Sequence, residues 1–173
     1  VTNAVGSNSA LVNLSVYSQA QPTHKRMASG KTHSCALTPS GTAKCWGDNQ
    51  FGQLGDGTLI SKASAVLVDG VDIGSLSIGA GAGHTCVLTN LGAVKCWGDN
   101  QYGQLGDGTL VSKKIPTQVQ GLESGVTAIA VGLHHSCAVL ESGELKCWGD
   151  NQLGQLGTGT TTSHSLPQTV QGL

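Results

Sequence analysis

Lys44-Cys45-Trp46-Gly47-Asp48-Asn49-Gln50-Phe51-Gly52-Gln53-Leu54-Gly55-Asp56-Gly57-Thr58 is the stretch that decides the fold, because the chain writes it three times. It returns as Lys95 to Thr109, with Tyr102 in place of Phe51. It returns again as Lys146 to Thr160, with Leu153 at that position and Thr158 where Asp56 and Asp107 stand. Cys45, Cys96 and Cys147 are 51 residues apart each time (96 − 45 and 147 − 96). A fixed period of this size marks stacked supersecondary units, each unable to bury its apolar face alone.

Composition agrees with many short strands. Of 173 residues 26 are glycine, and only 11% are charged, against about 25% in an ordinary globular chain. Surface helices need Glu, Lys and Arg; Gly-rich turns between strands do not. The formal net charge is −1, and the longest basic run is Lys113-Lys114. Nucleic-acid binding leaves a basic footprint, so a nucleic-acid partner is not expected. No stretch has the apolar length of a membrane span. There is no initiator Met and no signal-like start, which reads as a mature or trimmed chain.

Outward from the quoted stretch, each unit reads as a hairpin. His33 to Thr38 leads through Pro39-Ser40-Gly41 into Thr42 to Gly47. A three-residue loop ending in Gly fits a type I turn followed by a left-handed residue. Asn90-Leu91-Gly92 and Glu141-Ser142-Gly143 fill the same slot. That loop sets Thr38 opposite Thr42 and Cys35 opposite Cys45, with Cα atoms about 4.5 Å apart if the pair is non-hydrogen-bonded. The six cysteines thus form the pairs Cys35/Cys45, Cys86/Cys96 and Cys137/Cys147. An even count at repeated spacing favours disulfides and an oxidising compartment, hence a secreted or cell-surface location. The alternative is three pairs of reduced structural cysteines in a cytosolic protein.

Before the hairpin comes a short head, Met27-Ala28-Ser29-Gly30 and its counterparts. In the third copy, Val126 to Val131 is apolar and β-branched, as expected of a strand buried on both sides. After the hairpin, Leu54, Leu105 and Leu156 read as plugs beneath a Gly-rich loop. Candidate fourth strands are Ala65–Gly70, Pro116–Leu122 and Pro167–Leu173, with the prolines at their start on an edge. Boundaries follow: a lead-in over residues 1–25, then units over about 26–75, 76–126 and 127–173. Within the lead-in, residues 10–17 alternate, with Val12, Leu14 and Val16 on one face of a strand.

Four short strands per repeat, Gly-x-x-His-[Ser/Thr]-Cys and Cys-Trp-Gly-Asp-Asn-x-x-Gly-Gln-Leu-Gly together closely resemble the RCC1 (regulator of chromosome condensation) repeat, in its cysteine-paired bacterial form. The resemblance covers Met27 to Leu173. It implies an all-β fold of β-propeller blades, each a four-stranded antiparallel sheet, normally seven to a ring. It also implies action by protein contact through rims and faces, the family's activities including nucleotide exchange on a small GTPase, light sensing and protein inhibition. Three repeats depart from that pattern, since propellers close with about four to eight blades. The expectation is therefore a partial or open propeller, either completed by other copies of the chain or cut from a longer one. Three placements are open to the strand through Val12, Leu14 and Val16: completing the last blade of this chain, joining a blade of another copy by addition to a sheet edge, which makes it the candidate assembly strand, or beginning an unrepeated first blade.

The candidate site residues divide into scaffold and variation. His33, His84 and His135 stand two residues before a cysteine, a pairing that suggests zinc. No C-x-x-C knuckle or fourth ligand accompanies them, so a structural imidazole bonded to the backbone of its own blade is expected. Asp48, Asn49 and Asp56 do not match a calcium loop; Asp and Asn in such turns bond their own backbone. Trp46, Trp97 and Trp148 are expected to pack between blades. No nucleophile–base pair stands out, so no catalytic residue, metal or cofactor is assigned, and a surface hydrolase or lyase is the remote alternative. Variation falls at Phe51/Tyr102/Leu153, Lys31/Ala82/Leu133 and Leu59-Ile60/Leu110-Val111/Thr161-Thr162, where a binding surface on a constant scaffold would be tuned. The expected function is a non-enzymatic protein-interaction or structural module.

Overall fold

The computed structural model describes residues 24–71 and 74–173. The strand expected around Val12, Leu14 and Val16 lies outside them. Twelve strands follow in order: β1 Met27–Ser29, β2 His33–Leu37, β3 Ala43–Gly47, β4 Lys62–Leu67, β5 Ser75–Ala80, β6 His84–Thr89, β7 Val94–Gly98, β8 Lys113–Gln118, β9 Val126–Val131, β10 His135–Leu140, β11 Leu145–Gly149 and β12 His164–Thr169. They form three four-stranded antiparallel sheets, β1 to β4, β5 to β8 and β9 to β12, each in simple meander order.

The hairpin register follows from its loop. Gly41 takes φ 84°, Gly41 N–H donates to the Thr38 carbonyl, and Thr38 N–H donates to the Thr42 carbonyl. Only a residue without a Cβ takes that φ cheaply. Leu37 then pairs with Ala43 and Cys35 with Cys45, and the same pairing recurs at Cys86/Cys96 and Cys137/Cys147.

The fourth strands differ from expectation. They start earlier, so Pro116 and Pro167 fall inside β8 and β12 rather than at their beginning. Each proline sits where the edge strand bulges. Cys96 pairs with Thr117 and Gly98 with Lys113, four residues of β8 spanning two of β7. A residue lacking an N–H is tolerated there because the ladder is already interrupted.

The core lies between sheets rather than within one. Ala28, Cys35, Cys45, Leu54, Ile78, Val87 and Trp97 form one cluster across the first and second sheets. Cys86, Cys96, Leu105, Val126, Ala138 and Trp148 form its counterpart across the second and third. Strands β1 and β2 pack on β5, and β5 and β6 pack on β9. The three blades form an open arc.

One strand corrects the sequence reading. The run Val126 to Val131 is expected to be buried on both sides, yet Thr127, Ala128 and Ala130 of β9 are exposed. In the matching strand of the middle blade, β5, Ser77, Ile78 and Gly79 are all buried. The difference is position. Among the described residues strand β5 has a sheet on each side, whereas β9 has one only.

Candidate functional site

The constant residues of the repeat build joints between blades. After β3 the chain turns through Asn49, whose side chain is fully buried. Its Nδ2 donates to the Thr58 and Ile60 carbonyls and to Asp56 Oδ1, while Oδ1 accepts from Leu54 N–H. Asn100 repeats these contacts with Asp107, Thr109, Val111 and Leu105. In the third copy Thr158 replaces the carboxylate as partner of Asn151. Burial raises the pKa of Asp56 and Asp107, but hydrogen bonds from Thr58 and Thr109 outweigh it and hold both carboxyls below the ordinary range. These Asp and Asn side chains fold their own loop. Among the described residues no group of three or more His, Cys, Asp or Glu side chains is placed to hold a metal ion.

That loop aims one carbonyl at the next blade. The Gln53 carbonyl accepts the Trp97 indole N–H and the Thr85 hydroxyl, both at 2.9 Å. With its hydrogen engaged there, the Thr85 oxygen accepts from His33 Nε2–H at 2.8 Å. This fixes the His33 tautomer, with Nδ1 bare and unpartnered in the interior. The unit repeats one blade on: the Gln104 carbonyl accepts Trp148 and Ser136, and His84 Nε2 lies 3.0 Å from Ser136 Oγ. Each of these imidazoles therefore bonds a side chain of the following blade, not the backbone of its own. A single repeat could not reveal this, because the partner lies in the neighbouring unit. Burial holds the His33 pKa down at about 4, opposed by the charge of Asp48. Burial, with the neighbouring histidines, holds that of His84 at about 3. Both rings are neutral at physiological pH.

The joints are incomplete at the two ends. Trp97 and Trp148 are fully buried, whereas Trp46 is partly exposed. His33 and His84 are buried, whereas His135 is half-buried and has no hydroxyl partner among the described residues.

The cysteine pairs are disulfides, Cys35–Cys45, Cys86–Cys96 and Cys137–Cys147, with Cα atoms 4.1 Å apart in each, and no cysteine is free. Each ties the second and third strands of one blade.

Part of the variation collects at one cavity, whereas Leu59, Ile60, Leu110, Val111, Leu133 and Leu153 are exposed and do not line it. Lys31, Phe51, Ala82, Tyr102 and His134 line a cavity of about 250 Å³, together with Asp48 and Asp99. The ring of Phe51 lies over Gly83, where an added Cβ would come within 3.1 Å of it. Tyr102 lies against His134, ring centroids 5.2 Å apart. An aromatic residue in the loop after the third strand thus reaches across to the turn of the next blade. Leu153, the third of the series, meets no next blade among the described residues and is 91% exposed. His134 belongs to no repeated motif of the sequence. Its signal was its slot, which Thr32 and Gly83 fill in the other copies.

Comparison with known proteins fits this geometry. The regulator of chromosome condensation (RCC1) repeat matches residues 92–139 and 142–173, and a second description of the same repeat matches 25–53, 76–104 and 126–155. The human E3 ubiquitin-protein ligase HERC2 is 39% identical over 140 residues, which are 80% of this chain and 3% of that protein. The ultraviolet-B receptor UVR8 of Arabidopsis thaliana is 34% identical over 155 residues, 86% of this chain and 34% of the receptor. Among solved structures, human WBSCR16 superposes with a TM-score of 0.74 at 28% identity, covering 84% of this chain and 39% of that one. Yeast RCC1 (Prp20), solved bound to Kap60, gives 0.71 at 28% identity, covering 87% and 37%. A structure of Prp20p from Saccharomyces cerevisiae, described with its binding to Gsp1p and histones, gives the same score. The chain spans well under half the length of these relatives. Its repeats, blades and inter-blade joints place it in the RCC1 repeat family, as three consecutive β-propeller blades.

Proposed function

We propose that the chain is a non-enzymatic protein-interaction module of an oxidising compartment, secreted or at the cell surface, completed by other copies of itself. The carrying observation is the division of labour among its residues. Constant residues such as Asn49, Gln53 and Trp97 are engaged in joints and loops inside the fold, while Lys31, Ala82, Phe51, Tyr102 and His134, at positions that differ between copies, meet the constant Asp48 and Asp99 at one cavity. A carboxylate, amide and aromatic surface suits polypeptide contact, with aromatic anchors at its centre. Relatives of the fold are described with protein partners, Kap60 in one structure and Gsp1p and histones in another. The enzyme names among the relatives belong to proteins of which the match covers a small share, 3% of HERC2 and 14% of human HERC4. Three disulfides and the absence of a free thiol favour the oxidising compartment. No helix among the described residues is long and apolar enough to cross a membrane. The open arc favours self-completion, because exposed joint surfaces mark association.

Light scattering of the purified chain across a wide concentration range tests the assembly; a strictly monomeric, well-folded species overturns it. A second reading, three blades of a longer propeller acting as a binder or inhibitor, is favoured by the coverage of the superposed structures, 39% of one and 37% of the other. Further units of the same period in the parent reading frame decide for it.

A further inference from the structure

The two open faces of the arc are the two halves of one joint. At the first-to-second boundary, the Gln53 carbonyl accepts Trp97 Nε1–H and the Thr85 hydroxyl, His33 Nε2–H reaches Thr85, and Gly57 N–H donates to the Lys114 carbonyl. At the second-to-third boundary Gln104, Trp148, Ser136, His84, Gly108 and Ser165 make the same bonds. On the free face of the third blade the equivalents are the Gln155 carbonyl, His135 Nε2 and Gly159 N–H. None of the three has a joint partner among the described residues. The free face of the first blade carries the matching set, Trp46 Nε1–H, the Ser34 hydroxyl and the Ala63 carbonyl.

Shape repeats the argument. Gly103 packs against Ser165 of the next blade, where an added Cβ would lie 2.5 Å from its Cα, and Gly52 packs likewise on Lys114. A Cβ added at Gly154 would meet nothing within 4 Å among the described residues. Gly79 packs against Val131, so the same offset sets Ala130 against Ser29 of a following blade. Gly79 is buried, while Ala130 and Ser29 are both exposed. Neither face presents a charged side chain in this set, so burial leaves no unpaired ion.

Resting on the self-completing reading above, we propose that these faces dock head to tail between two copies of the chain. Trp46 and Ser34 of one copy meet the Gln155 carbonyl of the other, His135 Nε2–H meets Ser34, and Ala130 lies on Ser29. The contact is heterologous: one patch meets a different patch, so association has a direction.

The test uses two single variants of the full chain, Ser29→Cys and Ala130→Cys. The proposal expects that mixing them under mild oxidation gives a disulfide-linked dimer at a yield about tenfold or more above either variant alone. Peptide mapping should identify the cross-link as one between the two substituted positions. Equal yields alone and mixed, or no such cross-linked peptide while light scattering still shows association, overturn the register and leave self-completion standing. A monomer at every concentration overturns both, and assigns the open faces to residues 1–23 or to another partner.

Discussion

Trp97 of the second blade donates its indole N–H to the main-chain carbonyl of Gln53 in the first, at 2.9 Å in a fully buried joint. The ring supplies apolar area to the inter-sheet core, and the N–H closes the acceptor that the Gly-rich loop points across the boundary. Replacing Trp97 by Ala removes both and is expected to cost about 3–5 kcal/mol. Trp97→Phe removes mainly the hydrogen bond, while Thr85 still serves the carbonyl, and costs about 1–2 kcal/mol. Trp46→Ala, at a partly exposed ring, costs less than half as much as Trp97→Ala in dilute solution. Urea unfolding midpoints at matched m-values check the order.

Protonation of the buried histidines is expected to loosen the joints in acid. In the unfolded chain an imidazole titrates near 6.5, whereas burial holds His33 at about 4 and His84 at about 3 in the fold. Below about pH 6.5 the unfolded chain therefore takes up protons that the folded chain refuses. The stabilisation is complete above that pH and is lost as pH falls towards about 4 for His33 and about 3 for His84. For His33 the full loss is roughly 3 kcal/mol. Unfolding midpoints followed from neutral pH into acid should fall for the native chain and fall less for His33→Gln, whose amide still donates to Thr85. Parallel profiles would count against this role.

Asn100→Asp tests the loop that aims the carbonyl. The change keeps the shape but replaces a donor facing Asp107 Oδ1 and the carbonyls of Thr109 and Val111 by a further acceptor. A buried charge set against acceptors costs about 3 kcal/mol or more. The corresponding Asn151→Asp meets Thr158 instead of a carboxylate and should cost less. Paired thermal unfolding of the two variants shows whether the difference is there.

Thiol chemistry separates the three disulfides. The denatured, unreduced chain should show no titratable thiol, and full reduction should release six. Each bond closes a sequence separation of 10 residues, worth about 2.5–3 kcal/mol by chain entropy. Cys35, Cys45, Cys86 and Cys96 are buried, but Cys137 is half-buried in the end blade. Under limiting reductant Cys137–Cys147 should open first, as alkylation and peptide mapping will show; preferential opening of Cys86–Cys96 would contradict the exposure argument.

Local chemistry was readable in the residues where it is self-contained. The length of Pro39-Ser40-Gly41 set the hairpin register, and with it the facing of Cys35 and Cys45. Leu54, Leu105 and Leu156 lie fully buried under the loop, where a constant aliphatic residue among glycines belongs. What escaped belongs to pairs of units. The His33–Thr85 bond joins residues 52 apart, and nothing in one repeat says which copy a buried imidazole will meet. The exposure of Ala130 on β9 escaped for the same reason, since burial there depends on a neighbouring sheet and not on the strand. Pro116 was set at a strand start because proline breaks ladders; the bulge opposite Cys96 and Gly98 supplies the gap instead. The cavity face was legible as variation between copies, but its convergence required the arc.

Joints that reach only the adjacent blade also determine how the molecule opens. Trp97 and Gln53 are 44 residues apart and His33 and Thr85 52, each link spanning one neighbour and no further. Such a chain is a one-dimensional array, in which cooperativity passes from unit to unit and terminal units hold on by one interface. Amide protons of β6 and β7, gripped from both sides, should exchange last, and those of the outer blades should exchange through fraying at lower free energy.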